Sequence, residues 1–197
     1  MRRARLKAEG RGPLPLNELL DLPIHNTDRT LLAFGRAMAA WARIEVGFYT
    51  WFEHITAFDM RQAKPIYYSA TNFKSRLDLL RAAIEGVQLD RAEETFIKAA
   101  MDVVIRYNSF RNKLAHGEFT FDGLLIEGKH VDRRQARAEA ISAEQLQRFA
   151  ALATEFSTIL SRAYDLAFGV SEDDDNLATL EKCTEQMKAL PRTFTSR

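Results

Sequence analysis

The stretch LDRAEETFIKAAMDVVIRYNSFRNKLAHG, residues 89–117, contains within itself the start and the stop of one long helix. Asp90 followed three places later by Glu93 is a capping-box pattern, and Gly117 is the residue type that ends a helix just past its last turn. Between them Phe96, Ala100, Val103, Tyr107, Phe110 and Leu114 recur at three- and four-residue steps. At 100° per residue those positions share one face, which has to be laid against other helices.

Working outward, the same periodicity repeats. The polar residues HNTD, 25–28, are placed to cap a helix from about Asp28 to Phe58, with Phe34, Met38, Trp41, Phe48, Phe52 and Ile55 on one side. A second helix is expected over 72–87, its stripe being Leu77, Leu80, Ala83, Ile84 and Val87. After the quoted stretch, Asp122-Gly123 sits between two short β-prone runs, the pattern of a two-residue hairpin turn. A fourth long helix follows the Ser142-to-Gln145 capping box and ends near Phe168-Gly169, carrying Leu146, Phe149, Leu152, Ala153, Phe156, Ile159, Leu160 and Ala163 inward. Residues 176–190 have Leu177, Leu180, Met187 and Leu190 at helical spacing, to dock on the body or on a partner.

These elements predict an all-α fold, an antiparallel bundle of about four long helices with a small β-hairpin insertion after the helix quoted above. Along the chain, 1–25 reads as a basic arm and short segment, 26–169 as the helical bundle, and 170–197 as an acidic linker with a C-terminal helix and tail.

At 197 residues one well-buried core is the expectation. The hydrophobic fraction of 46% and the charged fraction of 28% are those of an ordinary globular chain. The single cysteine cannot form an internal bridge, which suits a reducing compartment. The basic start lacks the apolar core of a signal peptide and no apolar run is long enough to span a bilayer, so a cytoplasmic protein without membrane partners is expected. A net charge of +1 argues against a surface that is basic throughout. It is unevenly spread, with five cations against one anion in residues 1–11 and the acidic run SEDDDN at 171–176. No glycine-rich phosphate loop, zinc-spaced cysteines or histidine pair is present, and no cofactor or metal is implied. His25 reads as a cap-region residue, His54 as an outward residue, and His130 has no inferable partner.

The residues left to do chemistry lie in the helix of the opening stretch. Arg111 falls within the apolar stripe, where a guanidinium needs a carboxylate, carbonyls or a bound anion. Asn108, Asn112 and His116 descend one flank at four-residue steps. Glu45 lies in the apolar seam of the first helix and is the proposed partner of Arg111 or of the amides. A histidine in the last turn is favoured by the helix's negative end whether or not it acts as a general acid, and a buried structural bridge would account for Arg111 equally well.

The segment RNKLAHG, 111–117, resembles the signature of HEPN domains, the "higher eukaryotes and prokaryotes nucleotide-binding" helical family. There an arginine and an adjoining polar residue, often asparagine, precede a histidine near the end of a long helix; here these are Arg111, Asn112 and His116. The resemblance implies a homodimer in which two motif helices face each other across a shared cleft. It further implies metal-independent cleavage of single-stranded RNA, leaving a 2′,3′-cyclic phosphate, as in toxin or defence effectors. Arg111 would stabilise phosphate charge, Asn112 would bind substrate or hold Arg111, and His116 would transfer a proton, with Glu45, Asn108 and Tyr107 supporting them. A protein antitoxin or regulatory partner is a further expectation. In a toxin-type branch, a tyrosine two residues after the histidine is modified by a partner enzyme; this chain has Glu118 there, so that mode of neutralisation is not expected. The alternative is a non-catalytic HEPN-like module for nucleotide binding, dimerisation or partner recruitment. Arg111 and His116 lie about 140° apart around one helix, so a single copy does not aim both at one point, and a two-fold would bring in a second set.

Overall fold

The computed structural model describes residues 24–120, 123–126, 139–168, 176–191 and 193–194. The arm at 1–23, Asp122 of the expected turn, His130 and the acidic run at 171–175 lie outside them. Helix α1 (Ile24–Thr56) starts a turn earlier than expected, so residues 25–28 are helical instead of capping. It buries Ala37, Trp41, Ile44, Phe48, Trp51, Phe52 and Ile55, and ends at Ala57, whose φ of 51° is the left-handed conformation that stops a helix.

Helix α2 (Met60–Ser69) was not legible because Pro65 lies inside it. Its start is fixed by a reciprocal cap: the Gln62 N–H donates to Asp59 Oδ1 at 3.0 Å and the Asp59 N–H donates to Gln62 Oε1 at 3.4 Å. Buried Ala63 and Tyr67 then pin it to α1. Helix α3 (Phe73–Gly86) is capped by Asn72, which accepts from the Ser75 N–H at 2.9 Å, and buries Phe73, Leu77, Leu80 and Ile84.

Helix α4 (Arg91–Ala115) is the motif helix. Asp90 caps it by accepting from the Ala92 N–H at 2.7 Å, but Glu93 does not close the expected box; its carboxylate turns toward His54, 3.8 Å away. Strands β1 (Gly117–Thr120) and β2 (Gly123–Ile126) follow at once, antiparallel, with Gly117 opposite Ile126 and Thr120 opposite Gly123. Gly123 is therefore the first residue of β2, not part of a turn. A third strand, β3 (Glu139–Ile141), pairs antiparallel with β2, giving the order β1-β2-β3.

Helix α5 (Ala143–Ala167) begins at the full Ser142/Gln145 capping box and buries Leu146, Phe149, Ala153, Phe156, Ile159, Leu160, Ala163 and Leu166. Helix α6 (Asn176–Ala189) docks on the body through Leu180, Cys183 and Met187. Beyond it Phe194 is buried against Tyr107, Phe110 and Phe149, with ring centroids 5.0, 4.6 and 5.0 Å away.

The long helices α1, α4, α5 and α6 alternate in direction along the chain, but their closest neighbours are not antiparallel, as was expected. Contacts between α1 and α5 climb together, from Arg29–Glu144 through Phe48–Phe156 and Trp51–Leu160 to His54–Phe168. The two helices are parallel. Their close approach is helped by a small residue at the contact: Gly47 of α1 faces Leu160 of α5. A Cβ added at Gly47 would lie 2.5 Å from Leu160 Cδ2. Helix α6 likewise runs with α4: its residues line one hollow with Asp90 and Thr95, and Pro191 past its end accepts the Tyr107 hydroxyl at 3.4 Å. Helix α4 runs against α1, with Trp51 on Phe96 and Trp41 beside Arg111. The result is a helical bundle with a three-stranded sheet at the end where α4 stops.

Candidate anion site on helix α4

Arg111 is held half-buried because its Cα belongs to the apolar stripe while its stem can reach outward. Its guanidinium lies 6.0 Å from the centroid of the Trp41 ring, and Nη1 donates to Asn112 Oδ1 at 3.3 Å. Nε is buried and has no hydrogen-bond partner among the described residues. Among the described residues no carboxylate pairs with this cation.

The expected partner, Glu45, is engaged elsewhere. It lies about 40° around α1 from Trp41, on the side where α3 packs. There Arg76 Nη1 approaches Glu45 Oε1 to 3.8 Å, Arg76 Nε donates to the Ala70 carbonyl at 3.2 Å, and its guanidinium stacks over Tyr68 at 4.9 Å. The Glu45–Arg111 pairing is thus replaced by Glu45–Arg76. Sequence reading missed Arg76, although its place one turn after Phe73, which packs on Trp41 at 4.8 Å, was a usable signal.

Asn108 is half-buried one turn before Asn112, with Oδ1 shielded and unpartnered, so it lies beside Arg111 as part of the same flank. Asn112 is exposed. His116 caps the C-terminus of α4, its N–H shared between the Asn112 and Lys113 carbonyls at 3.3 Å each, and its side chain is exposed. Arg111 and Asn112 are therefore brought together, while His116 stands a turn further on at the helix's negative end without touching Arg111.

Tyr107 is not a surface group. It is fully buried between Phe149, Phe156 and Phe194, and its hydroxyl donates to the Pro191 carbonyl. Burial pushes its phenol far above the ordinary range, so it remains a neutral donor. It anchors the chain beyond α6 and offers no surface for substrate.

His54, read as outward, is nested among Phe168, Trp51 and Tyr164 at 4.1, 5.9 and 6.1 Å. Burial holds its pKa below the ordinary 6.5, and burial followed by nearby Asp90 raises that of Glu93. The 3.8 Å contact between them is consequently a meeting of a neutral ring with a carboxylate, not a strong ion pair.

Chemically, the α4 flank combines a permanent cation with unused N–H donors, two amides and an imidazole at a helix end. That set suits an oxyanion and a nearby proton transfer. No family model, curated protein or solved structure matches this chain. Among the described residues no helix is long and apolar enough to cross a membrane.

Proposed function

We propose that the chain is a HEPN-like, metal-independent endoribonuclease whose site is completed across a homodimer. The observation that carries this reading is Arg111: a half-buried guanidinium braced by Asn112 and the Trp41 face, with no carboxylate partner among the described residues and an unpartnered Nε. A cation positioned this way, with its charge unspent, suits a phosphate. Arg111 would bear the extra negative charge as a ribose 2′-oxygen attacks phosphorus. Asn112 keeps the guanidinium oriented, the attacking 2′-hydroxyl gives up its proton to solvent water, and protonated His116 from the facing copy hands a proton to the departing 5′-oxygen as the P–O5′ bond breaks. The products are a 2′,3′-cyclic phosphate and a 5′-hydroxyl. DNA, lacking the 2′-hydroxyl, is not cut. A toxin or defence role, with a protein that restrains the enzyme, is the biological setting this chemistry fits.

The test is incubation of the purified chain with end-labelled single-stranded RNA in excess chelator, alongside light scattering for mass. Cutting with cyclic ends, lost in His116→Ala and Arg111→Ala while the dimer persists, is the expected result. Intact RNA at high protein concentration, or cutting unaffected by His116→Ala, overturns it. Intact RNA together with a stable dimer would leave the non-catalytic module as the reading.

A further inference from the structure

Among the described residues six buried side-chain polar atoms have no partner within the protein. Three of them, Trp41 Nε1, Asn108 Oδ1 and Arg111 Nε, belong to the Trp41–Arg111 contact or to the turn of α4 beside it, and a fourth, Tyr67 Oη, lies further along α1. Arg111 covers the Trp41 ring, with Asn108 one turn away on α4. Tyr67 reaches α1 from α2, packing on Tyr49 and Phe52 at 5.6 and 5.3 Å. Both Trp41 and Tyr67 are almost wholly buried, at 1% and 0% exposure. Buried polar groups are ordinarily satisfied, and of these Arg111 and Asn108, a turn apart on α4, belong to side chains that are only half-buried and can meet a hydrogen-bonding guest. The guanidinium's fixed positive charge favours an anionic guest.

Arg76 approaches α1 at Glu45. Its Nη1 is 3.8 Å from Glu45, beyond hydrogen-bonding distance, so the carboxylate attracts it without a formed bond. Tyr68 beneath its plane and the Ala70 carbonyl at Nε fix its direction. Glu45 is one turn of α1 past Trp41, a rise of roughly 6 Å. Arg111 and Arg76 therefore meet α1 at successive turns, and the offset between the α1 residues they approach, Trp41 and Glu45, is comparable to one step of an extended single strand.

We infer that Arg76 is a second phosphate grip of this site, one nucleotide along from Arg111, and that Glu45 holds it in readiness until the RNA backbone replaces the carboxylate. This rests on the RNA reading above and adds to it a minimum ligand: a chain with two adjacent phosphates. Arg76 has nothing to transfer and is a binding residue. Its contact with Glu45 is the competing interaction that RNA must displace.

The test uses fluorescent 2′-O-methyl oligonucleotides, which bind without being cut, in lengths from one to eight nucleotides and across a salt series, read by anisotropy. For wild type, affinity rises sharply once a second phosphate is present. Arg76→Ala removes that rise, weakens longer chains about tenfold, and lowers the salt slope by roughly 0.7, whereas single-phosphate binding is unchanged. Glu45→Gln, which keeps the shape and removes the competing charge, tightens the longer chains, and Arg76→Lys retains the salt slope even if Arg76→Ala is poorly folded. Equal slopes and equal length dependence in wild type and Arg76→Ala, with binding lost in Arg111→Ala, would make Arg76 a structural pair only and leave the RNA reading standing. No binding by wild type at any length would overturn the RNA reading and this inference together.

Discussion

At the scale of single residues, His54 makes the clearest solution prediction. Folding buries its imidazole and depresses its pKa, so the unfolded chain takes up a proton near 6.5 that the folded chain refuses. The contribution of the neutral ring is complete above that value and is lost as pH falls through it. Thermal melts between pH 7.5 and 5.5 should show stability declining with acid, and His54→Gln should flatten that decline. Glu93 has the opposite sign, since its raised pKa makes the folded state the better proton binder above the ordinary 4.5. An unaltered slope in His54→Gln would remove the imidazole from the account. The same residue marks a limit of sequence reading: helical spacing put His54 on a polar side, and only the packing of α5's last turn, with Tyr164 and Phe168, turned that side into an aromatic nest. Arg111 was legible because a cation inside an apolar stripe breaks the pattern. Its release from Glu45 was not, because 40° around α1 decides between α3 and α4, and no periodicity in one chain tells which neighbour packs there.

Among elements, two helix features carry measurable energy. Ala57 holds a left-handed conformation at the end of α1, where a Cβ is unfavourable by roughly 1 kcal/mol. Ala57→Gly should therefore raise the unfolding free energy by about that amount in a urea titration, with an unchanged m-value. Gly47 has the opposite constraint. Gly47→Val would gain helix propensity yet drive its branches into Leu160, itself fully buried, and the seam between α1 and α5 would have to open. A net loss of about 1–3 kcal/mol is expected from such overpacking, and a neutral or stabilised variant would show that Leu160 has room to swing aside. The long helices and the Ser142 capping box were readable from spacing and cap residues alone. Helix α2 was hidden by Pro65, and the direction of α5 relative to α1 was hidden because stripe positions specify which residues are buried, not against whom. Gly47 in the middle of the first helix was an overlooked hint of a close neighbour there.

For the molecule as a whole, the C-terminal region belongs to the core. Phe194 touches three aromatic rings of α4 and α5, and Phe194→Ala is expected to cost roughly 3 kcal/mol, read by denaturant unfolding, with near-ultraviolet circular dichroism reporting loosened packing around Tyr107. A variant as stable as wild type would show that the tail is merely laid on the surface. The parallel pairing of α1 with α5 also affects synthesis. Trp51 and its carbonyl acceptor on Leu160 are 109 positions apart. At typical elongation speeds of about 5–20 residues per second, roughly 5–20 s separate the two on the ribosome. Throughout that interval the side of α1 that meets α5, where Gly47 faces Leu160 and Phe48 packs on Phe156, has no mate, and a nascent chain in that condition is one that holdase chaperones recognise.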